Sequence, residues 1–466
     1  MVSFPYGRAD AGSLAAQNEA SKSWLGAGIY RDYNRENIGY TQETEGQNKE
    51  KEVVVISKIS PLQIPDQLRS SEKAWPIIYI EARNLDLWNA PTSLAYFVGD
   101  VLNTAVQRVH EGPIQGQALL KVHIGEPNCH TRMRPEYVMG ISKFLSERGA
   151  SGIVGGGTTV AYSGPRGHRE NPKGSISKYH QLARKHGWSK NGKFGSSFVV
   201  LDRPSTSKPE KFKFVAEQKS FELDGVNRFN DFYAAGGLTA ADLVVNNAHL
   251  TPHGLASVAG CVKSIAMGCS GLTGKLRMHQ SLLPHFNTEL CVNCRKCVES
   301  FPENALQLNE GDICPTVDTE SCIGCVECEA VCTVGKGAIK LSGEEITDWE
   351  RGAEILPIRM VDYTIGLMNG KWDKTIHVLH MYAITERCEC LDIKQQPMFK
   401  RDLSFLVGKN PFAIDRLAAQ ILAEALNKEG RAVDESLLKS VETTAGYICE
   451  NYGILTEVPV ERMAVL

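Results

Sequence analysis

Two cysteine triplets at two-residue spacing, Cys291–Cys294–Cys297 and Cys322–Cys325–Cys328, constrain this chain more than any other feature. The second triplet is followed after three residues by Cys332. In the first, the matching place before Pro302 is held by Phe301. Eight of the 14 cysteines lie between Cys291 and Cys332. The N-terminus, MVSFPYGRAD, lacks a basic segment leading into an apolar core, so it does not read as a secretory signal. Tight clustering without such a signal points to metal rather than to disulfides. Three cysteines at this spacing wrap a loop around one iron–sulfur cubane, and the fourth starts a helix that crosses to the neighbouring one.

The crossing rule assigns Cys291, Cys294, Cys297 and Cys332 to one [4Fe-4S] cluster. Cys322, Cys325 and Cys328 begin a second, whose fourth ligand is due at position 301. Three outcomes stay open there: a three-ligand [3Fe-4S] cluster, a [4Fe-4S] cluster with a substitute ligand, or one whose fourth iron is open to water or substrate. Cys314 is the spare thiol closest in sequence, its plain alternative being a core residue in the strand before Val317. Loss of the second cluster altogether is a further alternative. A pair of all-cysteine zinc sites is the competing metal reading, but zinc rarely uses this triple spacing.

Around the cassette the pattern is α/β. Strands are expected at Ile77–Ile80, Ala118–Ile124, Gly152–Val154, Ser197–Leu201, Ala241–Asn246 and Thr375–His380, and one is weakly suggested at Val53–Ile56. Helices are expected at Leu94–Val109, Pro135–Arg148, Ser177–His186, Glu354–Met368, Phe412–Asn427 and Asp434–Val441. Such alternation predicts a largely parallel sheet, with ligands at the carboxyl ends of its strands. A net charge of −3 and 42% hydrophobic residues give no reason to expect a nucleic-acid partner. No apolar run approaches the length of a membrane span. The expectation is a cytoplasmic protein of an anaerobic or strongly reducing cell.

Several separated motifs resemble the iron–sulfur centre proteins of domain-of-unknown-function family three-six-two. They are Lys121-Val-His-Ile-Gly-Glu126-Pro with Arg134-Pro-Glu-Tyr137; Tyr162 to Arg166 with His180 and His186-Gly187; and His253-Gly254 leading to Lys263, Met267-Gly-Cys269, Gly274-Lys275 and His279. After the cassette come Cys388-Glu-Cys390, Asp402 and Asn410-Pro-Phe-Ala-Ile-Asp415. The resemblance implies an α/β body split into 76–283 and 344–427 around an inserted ferredoxin-like (α+β) two-cluster domain at 284–343. A polar extension (1–75) and a helical tail (428–466) flank it. It implies no established activity. Phe301-Pro302, where the family has Cys-Pro, is its main departure.

Outside the cassette, His123 and Glu126 follow a strand, where they could bind a metal or move a proton. The plain alternative is a hydrogen-bonded loop. His253, Lys275 and His279 could hold an anionic substrate or seat the cassette. Cys388 and Cys390 could ligate a metal or lend the second cluster a ligand, or they are buried structural thiols. Cys261 and Cys269 read as core, Cys129 and Cys449 as incidental, and Asp402 and Asp415 as structural or capping acids. Gly155-Gly-Gly-Thr-Thr159 reads as a tight turn after a strand, with phosphate binding as its sharper alternative. The first functional reading is an electron-transfer protein relaying electrons through two clusters to a redox partner protein. The alternative is a reductase with a substrate site in the α/β body fed by those clusters. A third reading is a subunit of a larger complex, with residues 1–75 wrapping a neighbour.

Overall fold

The computed structural model describes residues 61–160, 164–167, 176–203, 218–253, 256–279, 283–300, 305–318, 322, 328, 332–334, 338–342, 349–390, 392–431 and 435–465. Phe301, Pro302, Cys325, Tyr162, the suggested strand at 53–56 and most of the expected N-terminal extension lie outside them. All the described residues belong to one unit, Val54–Leu466.

Its frame is an eight-stranded sheet built from β1 (Ile77–Glu81), β2 (Gly116–Lys121), β3 (Ala150–Gly157), β4 (Ser197–Val200), β5 (Leu243–His249), β6 (Thr375–Met381), β7 (Ser404–Gly408) and β8 (Val460–Val465). The order across the sheet is β8-β1-β7-β6-β5-β2-β3-β4. Only β7 runs against its neighbours; every other pairing is parallel. This is the largely parallel α/β architecture that the alternation of segments predicts.

Side chains alternate across a strand, so each strand feeds two cores. Ala118 and Leu120 of β2 join Ile78, Ile80, Val245, Ile376, Val378, Phe405 and Val407 on one face, under the helices Thr92–Val109, Pro135–Glu147 and Ser177–Lys185. Leu119, Val154 and Val244 point to the other face, toward the helices Leu272–His279 and Trp349–Met368. Ile77, Tyr79, Leu379 and Leu406 extend that second face under the helix Pro411–Lys428. That helix starts where Asn410–Pro411 predicts. The Asn410 carboxamide accepts from the Phe412 and Ala413 N–H groups at 3.1 Å each, and Pro411 needs no donor.

The structure corrects the sequence reading in three places. Gly155, Gly156 and Gly157 are not a turn or a phosphate loop; they are the last residues of β3, paired to β2 and β4. Glycine is demanded there by packing, since a Cβ on Gly156 would sit 2.5 Å from Leu201 Cδ2 and 2.9 Å from Leu119 Cδ1. The 428–466 tail is not only helical. Its helix runs longer than expected, Glu435–Tyr452, and β8 then pairs with β1 at the sheet edge. The antiparallel strand β7 was not expected at all.

Within the cassette, Leu283–Phe286 pairs antiparallel with Ile339–Ser342, and Leu306–Gln307 with Thr316–Val317. A small separate core of Cys297, Ala305, Leu306, Cys328 and Ile339 lies between them. No described helix is long and apolar enough to cross a membrane.

Gly156→Ala should lower stability by about 1–3 kcal/mol, because Leu201 and Leu119 must move to admit one methyl group. Urea unfolding followed by far-UV circular dichroism measures this; an unchanged midpoint would contradict the packing described for β3.

Candidate metal centre and its surroundings

The carboxyl ends of β2, β3, β5 and β6 meet at one edge, and the charged side chains of the body gather there. His123 lies two residues past β2, and His249 is the last residue of β5. A short hairpin, Thr251–His253 with Ser257–Ala259, carries His253, and Ser257 takes the left-handed φ of 59° in its turn. Next comes the helix Cys261–Ala266, which carries Lys263. The carboxylate of Asp415 accepts from the N–H groups of Cys261 at 2.6 Å and Val262 at 2.9 Å, fixing the start of this helix. Beyond β6, Asp402 accepts from Ala383 N–H at 2.9 Å and Leu87 N–H at 2.5 Å, anchoring the segment that leads to Cys388 and Cys390. Asp402 and Asp415 thus have the structural roles expected of them.

Four side chains then converge. The ligand atoms of His253, Cys388 and Cys390 all lie within 4.8 Å of one another. Lys263 Nζ is 3.3 Å from Cys388 Sγ and 3.9 Å from Cys390 Sγ. The Cys390 thiol and backbone N–H, with the Lys263 ammonium, hold the Cys388 thiol down to about 5 against the effect of burial. Burial, with Lys263 and His279 nearby, keeps the His253 imidazole well below its usual value. A thiolate and a neutral imidazole are the protonation states that bind metal. Two sulfurs and one nitrogen form a soft set suited to zinc or another thiophilic ion.

A second network stands beside the first. Arg166 Nη1 is 2.9 Å from Glu126 Oε1 and 2.6 Å from His123 Nε2. Burial pushes Glu126 up to about 7 even though Arg166 opposes it, and burial with Arg166 holds His123 down to about 3. The His249 ring donates from Nδ1 to Glu389 Oε1 at 2.8 Å and from Nε2 to the Tyr382 carbonyl at 2.5 Å, while stacking on the Tyr382 ring. Glu389 raises His249 against the effect of burial. Glu389 Oε2 also faces His123 Nδ1 at 3.7 Å, so one carboxylate joins two histidines.

Of the candidates named from sequence, the structure brings His123, Glu126, His253, Cys388 and Cys390 to this edge. His279 is there as well, close enough to Lys263 to be held down to about 4, chiefly by burial. Lys275 lies on the same edge but is bonded to the Ser270 carbonyl at 2.6 Å, with Asp202 at 3.7 Å. Sequence reasoning does not single out Glu389, His249, Arg166, Asp202 or Lys121 as site residues. Glu389 sits between the two cysteines, and that position is the one signal that could have found it. Cys261 and Cys269 are core residues, as expected.

In the cassette, Cys291, Cys294, Cys297 and Cys332, the four thiols assigned to one cluster, line a single pocket. Asn293 and Arg295 adopt left-handed φ values of 52° and 62°, which curl the loop around that pocket. The Thr333 hydroxyl lies 3.4 Å from Cys294 Sγ and lowers its thiol, while burial pushes Cys297 up to about 11. The donor set fits a cluster of the proposed kind. Cys314 is close enough to Cys291 to raise its own thiol pKa, on top of the effect of burial. Cys322 and Cys328 border the small cassette core.

An α/β protein with a histidine–dithiol group at its strand ends is thus the class that fold and site define. Residues 118–420 match the family described as Domain of unknown function (DUF362), and the chain belongs to that family. None of the curated proteins compared matches it. Among solved structures, a protein from Thermotoga maritima is similar at 12% identity and a TM-score of 0.33, over 76% of this chain and 59% of that one. The lactate racemase apoprotein from Thermoanaerobacterium thermosaccharolyticum is similar at 12% identity and a TM-score of 0.26, over 69% and 52%. The chain therefore spans less than two thirds of either.

Burial raises Asp415 from 3.8 to about 7 against its two backbone donors. The fold therefore favours the neutral acid. Its contribution is complete below about pH 4 and is lost as the pH rises through about 7. Asp415→Asn cannot ionise, so the stability advantage of wild type over this variant should shrink between about pH 5 and about pH 8. Urea midpoints at the two pH values check this, and a constant difference would contradict it.

Proposed function

We propose that this chain is an iron–sulfur redox enzyme in which the 284–343 insert passes electrons to a substrate site at the carboxyl edge of the sheet. The observation that carries this reading is the convergence of His253, Cys388 and Cys390, with ligand atoms within 4.8 Å of one another. Cys388 is held toward thiolate and His253 toward the neutral ring, while Cys388 and burial push the Cys390 thiol up, so that a metal would have to displace its proton. A carrier alone has no use for such a group. The clusters, when present, supply single electrons at potentials tuned by hydrogen bonds and solvent. The protein's own side chains do the rest. Lys263 balances the thiolate charge. Glu126, titrating near neutrality, and the His123–Glu389–His249 chain are placed to give or take protons. His279 ends the helix that precedes the insert, and its imidazole is within electrostatic reach of both His253 and Lys263.

Electron relay to a separate protein is the second reading, and one observation favours it. Leu290, Val292, Ile313 and Val334 are exposed on the insert, and Val292 and Val334 line the same pocket as the four cysteines. Apolar side chains around a redox group suit a transient partner. In the enzyme reading the same face admits electrons from a donor protein.

Anaerobically purified protein should carry one metal ion beyond its clusters, lost in Cys388→Ser and His253→Ala while the electron paramagnetic resonance of the reduced clusters is kept. Unchanged metal content in both variants would overturn the enzyme reading. Wild type as isolated, and after reduction, should show a cluster signal that Cys294→Ser abolishes or alters. If Cys388→Ser passed electrons from dithionite to every acceptor as fast as wild type, the relay would be the better description.

A further inference from the structure

We infer that the edge of the sheet beside the His253–Cys388–Cys390 group contains a subsite for a small oxyanion, the carboxylate or phosphate of a substrate, held by Lys121, Lys275 and Arg166. This rests on the reading of the body as a substrate site. The three cations are 3%, 6% and 5% exposed, and buried lysine and arginine are rare without a countercharge. Arg166 has Glu126, and Lys275 has Asp202 at 3.7 Å. Among the described residues, no carboxylate forms an ion pair with Lys121, and its ammonium donates to Ser264 Oγ at 2.5 Å. That hydroxyl donates onward to Asn246 Oδ1 at 2.6 Å, so among the described residues Lys121 has N–H donors to spare.

The two ammonium groups lean on the same turn. A Cβ on Gly268 would lie 2.4 Å from Lys121 Nζ, and Lys275 Nζ donates to the Ser270 carbonyl two residues on. Burial disfavours the Lys121 charge; Cys269 beside it acts in the opposite sense, and Arg166, Lys263 and Lys275 add to the effect of burial. An assembly of like charges around an unpaired ammonium is costly by itself and relieved by a bound anion. It also repels a second cation, so the metal-binding group and the oxyanion subsite do not compete. The Asp202 carboxylate, which would oppose an anion, also accepts from the Thr159 N–H at 2.8 Å on Oδ1 and from the Thr159 hydroxyl at 2.7 Å on Oδ2, the oxygen that faces Lys275.

The test is calorimetric titration of the full-length protein with inorganic phosphate and, separately, with malonate. One of the two should bind, which assigns the subsite to phosphate or to carboxylate, and Lys121→Met should weaken it about tenfold or more. Lys121→Met should also raise the melting temperature in the absence of anion, since it removes an uncompensated charge. If that variant does not fold, Lys275→Met, whose ammonium touches the same turn, gives the same reading. No heat from either anion, or unchanged affinity in the lysine variants, overturns the inference. The Cys388→Ser protein separates the two proposals. Oxyanion binding retained in a protein that never held the extra metal leaves the subsite standing without the metal. A protein that keeps its metal but binds neither anion does the reverse.

Discussion

A sheet covered by helices on both faces has one place left for charge: the ends of its strands. In β2 the residues Ala118, Leu119 and Leu120 are fully buried, and at the carboxyl end polarity begins at Lys121. The same switch occurs in β5, where apolar residues give way to Asn246, Asn247 and His249, whereas β6 carries buried Thr375, His377 and His380 along its length. Parallel strands bring these switches to a common edge.

Burial at that edge sets the chemistry. Charged groups out of water must be paired or must change protonation state. Glu389 solves this by serving His249, and Cys388 by meeting Cys390 and Lys263. His123 and His253 solve it by staying neutral. Glu126 is left between the two solutions, near neutrality, despite its arginine. The result is a short span of sequence-distant side chains holding thiolate, neutral imidazole, carboxylate and ammonium together, a mixture that water would level.

Much of the sheet is legible in the sequence because runs such as Ile77-Ile-Tyr-Ile80 and Thr375-Ile-His-Val-Leu-His380 are apolar and bounded by turn residues. β7 is not, since Ser404-Phe-Leu-Val-Gly408 is short and its antiparallel placement between β1 and β6 depends on partners far away in the chain. The three glycines of β3 read as a turn because the reason for them, the bulk of Phe194, Leu201 and Tyr179, is supplied by other segments. In the site, His123, Glu126, Cys388 and Cys390 are legible as reactive types near expected strand ends. His249 is not, because it closes an apolar strand. Arg166 and Asp202 gain meaning only from the residues they meet.

The pairing of Leu283–Phe286 with Ile339–Ser342 places the entry and exit of the insert side by side. Among the described residues, the three apolar cores of the body contain none from this segment, which has its own small core including Cys297 and Cys328. Under the proposed iron–sulfur reading, folding of the α/β body would not await delivery of iron and sulfide, and a folded, cluster-free form could be matured afterwards.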